Sequence, residues 1–159
     1  MKLLTHYIFS TGLLTLIGSL FSDNFNSFIS AFIISVISNY IIDRFGHRIR
    51  NKFYTRTKRT HSINNSILIG LIPAFALIFI SDIYYNIIIN NEIIAVFYQG
   101  FFAGPSHLFL DVFTCNGIFI KSGNKFKRFT FLHLKYNNRA INYLFIFLGL
   151  LLIIASINL

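Results

Sequence analysis

The sequence predicts an all-α integral membrane protein, and three observations carry that reading. The chain is 55% hydrophobic and only 12% charged over 159 residues, where a soluble domain of this size carries roughly a quarter charged residues. Its apolar residues are gathered into five long runs. Its fourteen Lys and Arg residues are sorted into connections that all fall on one side once those runs are threaded back and forth.

The runs cover 3–21, 25–42, 63–81, 93–110 and 141–159, each close to the roughly 20 residues a helix needs to cross a bilayer. None alternates apolar and polar residues over its length, and open strands cannot satisfy their backbone groups in lipid, so each run reads as a helix. The expected architecture is one membrane-embedded helical domain over 1–159, a bundle of about five transmembrane helices.

Charge sets the expected orientation. Lys2 precedes the first run. Arg44, Arg48, Arg50, Lys52, Arg56, Lys58 and Arg59 lie between the second and third, and Lys121, Lys125, Lys127, Arg128, Lys135 and Arg139 between the fourth and fifth. The other two connections hold only the acids Asp23, Asp82 and Glu92. The positive-inside rule therefore makes 44–62 and 112–140 basic cytoplasmic loops, with the N-terminus in the cytoplasm and the C-terminus outside the plasma membrane. The first run, with Lys2 before it and Gly18-Ser19-Leu20 near its end, also has the form of a secretory signal, whose removal would leave the other orientations unchanged. The basic face is expected to meet anionic lipid headgroups. No recognition motif accompanies the charge, so no specific nucleic-acid partner is expected. A single cysteine, Cys115, excludes a disulfide within the chain and a CxxC metal site.

Among the five acids only Asp43 and Asp111 sit at the basic ends of the runs. His47 follows Asp43 by four residues, and His107 precedes Asp111 by four, so each pair shares one helix face. Asn39 lies one turn above Asp43, and His61 opens the third run. Taken singly, each has an ordinary role as an interfacial salt bridge or hydrogen-bonded imidazole. Together, Asp43, His47, His61, His107 and Asp111 reach one membrane level, where ionisable groups are costly and mark function. Imidazole with carboxylate is a ligand set for a divalent transition metal, zinc first, with manganese or iron as alternatives.

The fourth run adds Gly100 and Gly104, a spacing that lets a neighbouring helix approach closely, and Pro105, expected to kink the helix and aim His107 and Asp111 inward. His6 faces the same interface and is expected to support the ligands. His133 lies among Phe126, Phe129 and Phe131 in a segment expected to run along the membrane surface. Cys115 continues the spacing of His107 and Asp111 by one turn but stays outside the ligand set.

The order Asn39-Tyr40-Ile41-Ile42-Asp43-Arg44-Phe45-Gly46-His47, then Arg59-Thr60-His61-Ser62, then Gly104-Pro105-Ser106-His107-Leu108-Phe109-Leu110-Asp111, with Thr114 and Gly117 after it, resembles the YdjM-like membrane-bound metal-dependent hydrolases, most nearly an uncharacterised archaeal branch. The resemblance spans roughly 39–142. It implies a bound metal and hydrolysis, with Asp43, His61, His107 and Asp111 as the leading ligands. Bacterial members carry a second acid where this chain has Asn39, and His-Arg where it has Arg56-Thr57; both departures stand against a dinuclear site.

The expected function is a metal-dependent hydrolase at the cytoplasmic membrane interface, acting on a lipid-linked phosphoester whose charge Arg48 and Arg59 neutralise. The alternative is a structural or interaction membrane protein, such as one from an archaeal virus, in which the same side chains only pack or staple the helices. A transporter fits less well, because the polar groups gather at one interface and not at the midplane.

Overall fold

The computed structural model describes residues 1–50, 53–85 and 90–159. In chain order the elements are α1 (Leu3–Gly18), α2 (Asn24–Gly46), β1 (His47–Arg50), β2 (Phe53–Arg56), α3 (Ile63–Tyr85), α4 (Asn91–Val112), β3 (Ile118–Ser122), β4 (Lys125–Phe129) and α5 (Arg139–Ser156). About two-thirds of the described residues are helical. Helices α2, α3, α4 and α5 are long and apolar enough to cross a membrane. Helix α1, expected to span 3–21, is shorter at 16 residues, because the amides of Phe21 and Ser22 both turn back onto the Gly18 carbonyl.

Helix starts follow local chemistry. The Asp23 carboxylate accepts from the amides of Phe25 and Asn26, and the side chains of Asn90 and Asn138 accept from Ile93 and Ile141. Each satisfies amide groups that the first turn leaves without partners.

The segments expected as loops at 44–62 and 112–140 are more ordered than that. Helix α2 continues to Gly46, and each segment holds an antiparallel hairpin, β1–β2 and β3–β4. The expected all-α bundle thus carries two small sheets, both outside the long helices. For β3–β4 the reason lies in the sequence: Ile118-Phe119-Ile120-Lys121-Ser122 and Lys125-Phe126-Lys127-Arg128-Phe129 flank Gly123-Asn124, a two-residue hairpin turn. Phe119 opposes Arg128 across the pair, with the guanidinium over the ring at 5.5 Å, and Lys58 lies over Phe126 at 5.3 Å; both arrangements favour the cation.

Burial runs opposite to that of a water-soluble domain. Thr5, His6, Thr15, Ser35, Ser38, Asn39 and Gln99 are buried beside Leu14, Ile34, Ile42 and Leu110, while Phe25, Leu68, Phe75, Phe79, Phe147 and Ile154 are exposed. Helix α1 packs against α2, α4 and α5, and α3 packs against α4. The first apolar run packs within the bundle, supplying Leu14 to its core.

Small residues permit these approaches. A Cβ on Gly104 would overlap the Ser66 backbone, and one on Gly100 would strike Ala74, so the partner of the Gly100/Gly104 face is α3. A Cβ on Gly12 would run into the Gly149 carbonyl of α5. Helix α4 continues through Pro105 to Val112, which keeps His107 and Asp111 one turn apart on a single helix.

Gly12→Leu is expected to force α1 from α5 and destabilise the bundle by about 1–3 kcal/mol or more, read as a lowered midpoint of thermal unfolding in detergent. Gly123→Asn, at φ +57 with nothing within 4 Å of its Cβ position, should leave that midpoint unchanged, because Asn tolerates the left-handed region.

Candidate metal centre

Five helix ends meet where α1 begins, α2 ends, α3 begins, α4 ends and α5 begins. There the structure gathers all five residues expected as ligands. Asp43 sits in the last turn of α2, His47 directly follows that helix, and His61 precedes α3. His107 and Asp111 occupy the last two turns of α4. Gly46 makes room for this, since a Cβ there would collide with Thr60 Oγ1 and the His61 ring.

His107 Nε2 lies 3.1 Å from Asp111 Oδ2 and 3.6 Å from Asp43 Oδ1. His61 Nε2 lies 3.4 Å from Asp111 Oδ2 and 3.9 Å from Asp43 Oδ1. Two imidazole nitrogens and two carboxylate oxygens thus bracket one small space. Ligands at 2.0–2.2 Å in a tetrahedral zinc site are about 3.3–3.6 Å from one another, and the observed separations straddle that value. His61 Nε2, His107 Nε2 and Asp111 Oδ2 are buried with no hydrogen-bond partner. Such atoms are expensive to leave unsatisfied, and a shared cation is the partner that suits all three.

The opposite ring nitrogens are both held, and at His107 the partner leaves the Nε2 lone pair free. Asn39 Nδ2 donates to the Ser35 carbonyl at 2.8 Å, which turns its Oδ1 toward His107; the His107 Nδ1–H then donates to that oxygen at 2.7 Å. With its proton on Nδ1, His107 keeps a lone pair at Nε2. His61 Nδ1 pairs with Thr60 Oγ1 at 2.8 Å. Burial pushes the His61 imidazole down to about 4, against the opposing pull of Asp111, so near neutral pH it is in the uncharged form that binds metals. His47 donates from Nδ1 to the Asp43 carbonyl at 2.7 Å, leaving Nε2 as its ligating nitrogen. It is the most open of the five, its side chain 27% exposed against 21% for Asp43.

Two residues take a larger part than the sequence indicated. His6, expected only as a support, stacks on His107 with ring centroids 4.0 Å apart and brings Nε2 to 3.3 Å from Asp111 Oδ1. Its signal was an ionisable residue one turn inside an apolar run. Arg56, expected as one of the basic loop residues and as a departure from a family pattern, is buried. It donates from Nη2 to Asp111 Oδ1 at 2.5 Å, and from Nη1 to Thr114 Oγ1 at 2.7 Å and the Gly117 carbonyl at 3.0 Å. The Met1 amino group lies 3.0 Å from the same Asp111 oxygen.

These contacts distinguish two groupings of the same side chains. The trios His6–His107–Asp111 and Asp43–His47–His61 each bring three donor atoms within 4.8 Å, which would suit two ions. An ion on the Oδ1 side of Asp111 would face the Arg56 guanidinium, however, whereas the Oδ2 side faces only imidazoles and Asp43. An ion that avoids the guanidinium would therefore lie on the Oδ2 side, where His61 and His107 also meet Asp43. Arg48 and Arg59 are exposed and, among the described residues, make no ion pair with this cluster. His133 and Cys115 are also exposed, the Cys115 thiol donating to the His133 carbonyl at 2.7 Å.

Asn39→Leu should remove the acceptor that orients His107 and weaken metal binding about 10–100-fold, measured by competition with a chromogenic chelator. Asn39→Asp, which keeps an acceptor at that place, should retain the tighter affinity.

Comparison with known proteins adds a family and nothing more specific. No curated protein and no solved structure matches the chain. A family model described as a protein of unknown function, DUF1286, matches residues 1–110. That stretch takes in α1 to α3 and all of α4 up to Leu110, and with them His6, Asn39, Asp43, His47, Arg56, His61 and His107; Asp111 is the next residue. On a match covering more than half of its length, the chain belongs to the DUF1286 family.

Proposed function

We propose that this chain is a membrane-spanning, metal-dependent hydrolase whose site lies at the cytoplasmic headgroup level of the plasma membrane and acts on a lipid-linked phosphoester. The observation that carries the reading is the meeting of His61 Nε2, His107 Nε2, Asp43 Oδ1 and Asp111 Oδ2 around one space, with every His–Asp separation at 3.9 Å or less.

Membrane insertion is supported by the inverted burial. Phenylalanine and leucine on the outer face would be a large liability in water, whereas in lipid small and hydroxyl-bearing residues belong at helix contacts. Helices α2 and α3, at 23 residues each, reach about 35 Å, enough for a hydrocarbon core of about 30 Å. Arg44, Arg48, Arg56, Lys58, Arg59 and the basic β3–β4 hairpin share the end that holds the site, which favours the cytoplasmic side.

A divalent transition metal, zinc first, held by Asp43, His61, His107 and Asp111 with His47 as a fifth member, would supply Lewis acidity toward water and a phosphoryl oxygen. The chain's own residues do the rest. Asn39 and Thr60 orient the two imidazoles, and Arg56 fixes Asp111. Asp43, 21% exposed, turns only Oδ1 to the imidazoles: as the water oxygen joins phosphorus and the ester P–O bond breaks, its Oδ2 would take the proton that water gives up and pass it to the departing alcohol. Arg48 and Arg59, exposed at this end, add to the field that draws an anionic substrate.

A second reading is a metal-stapled structural bundle. It is favoured by the complete burial of His61, His107 and Asp111 and by Asn39 in place of an acid.

His107→Ala should lose both metal and phosphate release, because it removes a ligand and with it the ion. Arg48→Ala should keep the metal and weaken turnover. Elemental analysis of the detergent-purified protein and headgroup release from mixed phospholipids with zinc or manganese supplied would measure both. Metal without hydrolysis would favour the staple; a parent protein that binds no metal would overturn both readings.

In a Cys115→Ser background, a cysteine replacing Asn90 should be labelled from outside intact cells and one replacing Ser122 should not. The reverse pattern would move the site to the outer face.

A further inference from the structure

We infer that the cavity beside Arg56 is a phosphate-binding pocket, which on the hydrolase reading holds the phosphoester next to the metal centre. The cavity measures about 290 Å³ and is walled by Arg56 at the end of β2, Thr114, Cys115 and Asn116 after α4, and Lys135, Tyr136 and Asn137 before α5. Its wall is formed by residues bearing two cations, two amides, a phenol, a thiol and a hydroxyl, and no carboxylate lines it. That is the donor-rich, acid-free wall that a phosphate group requires. The volume falls just below the range of drug-sized ligand sites, so the pocket suits a phosphate with a small polar substituent and not acyl chains.

Its position ties it to the cluster. Arg56 forms part of the wall and also binds Asp111 Oδ1, while Asp111 Oδ2 faces His61 and His107. One guanidinium therefore separates the cavity from the ligand set. The Arg56 Nε is buried without a hydrogen-bond partner, so the residue retains donor capacity beyond its bonds to Asp111, Thr114 and Gly117.

The wall is also braced. The Cys115 amide donates to Leu134 and the Leu134 amide to Phe113, at 2.9 and 3.0 Å. Asn142 of α5 donates to the Tyr136 carbonyl at 3.0 Å and accepts from Thr5 Oγ1 of α1 at 2.6 Å. A pocket fixed in this way loses little conformational freedom when it binds. Two other cavities lack the combination. That of about 440 Å³ lies at the opposite end and has Glu92 and no Lys or Arg on its wall. That of about 350 Å³ has Ser62, Asn64 and Asn65 on its wall beside Ile63, Phe119, Ile120 and Phe126, but a single cation, Lys121.

The test uses the full chain as purified in detergent, titrated calorimetrically with glycerol 3-phosphate. A parallel arm measures binding to phosphatidylcholine vesicles with and without phosphatidate. Lys135→Glu, an exposed change, should weaken glycerol 3-phosphate binding about tenfold or more with metal content unchanged. Lys125→Glu, the same charge change on β4 and outside the pocket, should alter it less than about twofold. Arg56→Lys, which keeps the charge beside Asp111 but loses the planar fork, should weaken binding as well. Binding in solution identifies a free phosphoester as the ligand; binding confined to phosphatidate vesicles, with the same dependence on Lys135, identifies a lipid headgroup. No binding by the parent, equal affinity of Lys135→Glu and parent, or equal loss in Lys135→Glu and Lys125→Glu would overturn the pocket. Phosphate binding without turnover would leave the pocket standing and the hydrolase reading fallen, whereas turnover indifferent to Lys135→Glu would do the reverse.

Discussion

The arrangement of this molecule's basic end depends on how one buried carboxylate is divided. Asp111 Oδ1 takes the Arg56 guanidinium, and Oδ2 faces the Nε2 atoms of His61 and His107. A carboxylate buried without a cationic partner is strongly unfavourable, so Arg56 is what allows Asp111 to sit at full burial in the last turn of α4. The same guanidinium also grips Thr114 and the Gly117 carbonyl. It therefore docks the β1–β2 hairpin against the end of α4 and the start of β3. Two-way sharing commits one oxygen to the salt bridge and leaves the other facing the two imidazoles.

The division also bears on nuclearity. With an arginine on the Oδ1 side, a second ion there would meet a fixed positive charge. Asn39 orients His107 by accepting from its Nδ1–H and brings no charge of its own, and Arg56 supplies Asp111 with a cation that needs no metal.

Away from this end, the bundle is held by close approach of small residues and not by a large apolar core. Gly12 meets Gly149, Gly104 meets Ser66, and Gly70 meets Gly100, while Ser10 and Ser106 share a hydrogen bond between α1 and α4 at 2.7 Å. Large apolar side chains point outward instead. On the proposed membrane reading, lipid rewards that exposure, and packing with interhelical hydrogen bonds replaces the hydrophobic effect as the force between helices.

The helices and the meeting of Asp43, His47, His61, His107 and Asp111 were legible in the chain because both depend on local spacing. Long apolar runs imply helices, and an i, i+4 relation places Asp43 with His47 and His107 with Asp111 on shared faces wherever those helices end. His61 was legible through the position of its run. What local spacing cannot supply is which neighbour occupies each remaining lone pair. His6 lies 105 residues before Asp111 and Arg56 55 before it, and only the packing of α1 and the hairpin register, which sets His47 opposite Arg56, bring them to one carboxylate. Arg48, Arg56 and Arg59 look alike in a basic segment; strand direction and docking leave two at the surface and bury the third. The sequence by itself determined the helices and which residues meet at their ends. Tertiary structure alone decided which oxygen of Asp111 is spent on a salt bridge and which remains open, because that choice depends on three-dimensional contacts between elements far apart in the chain.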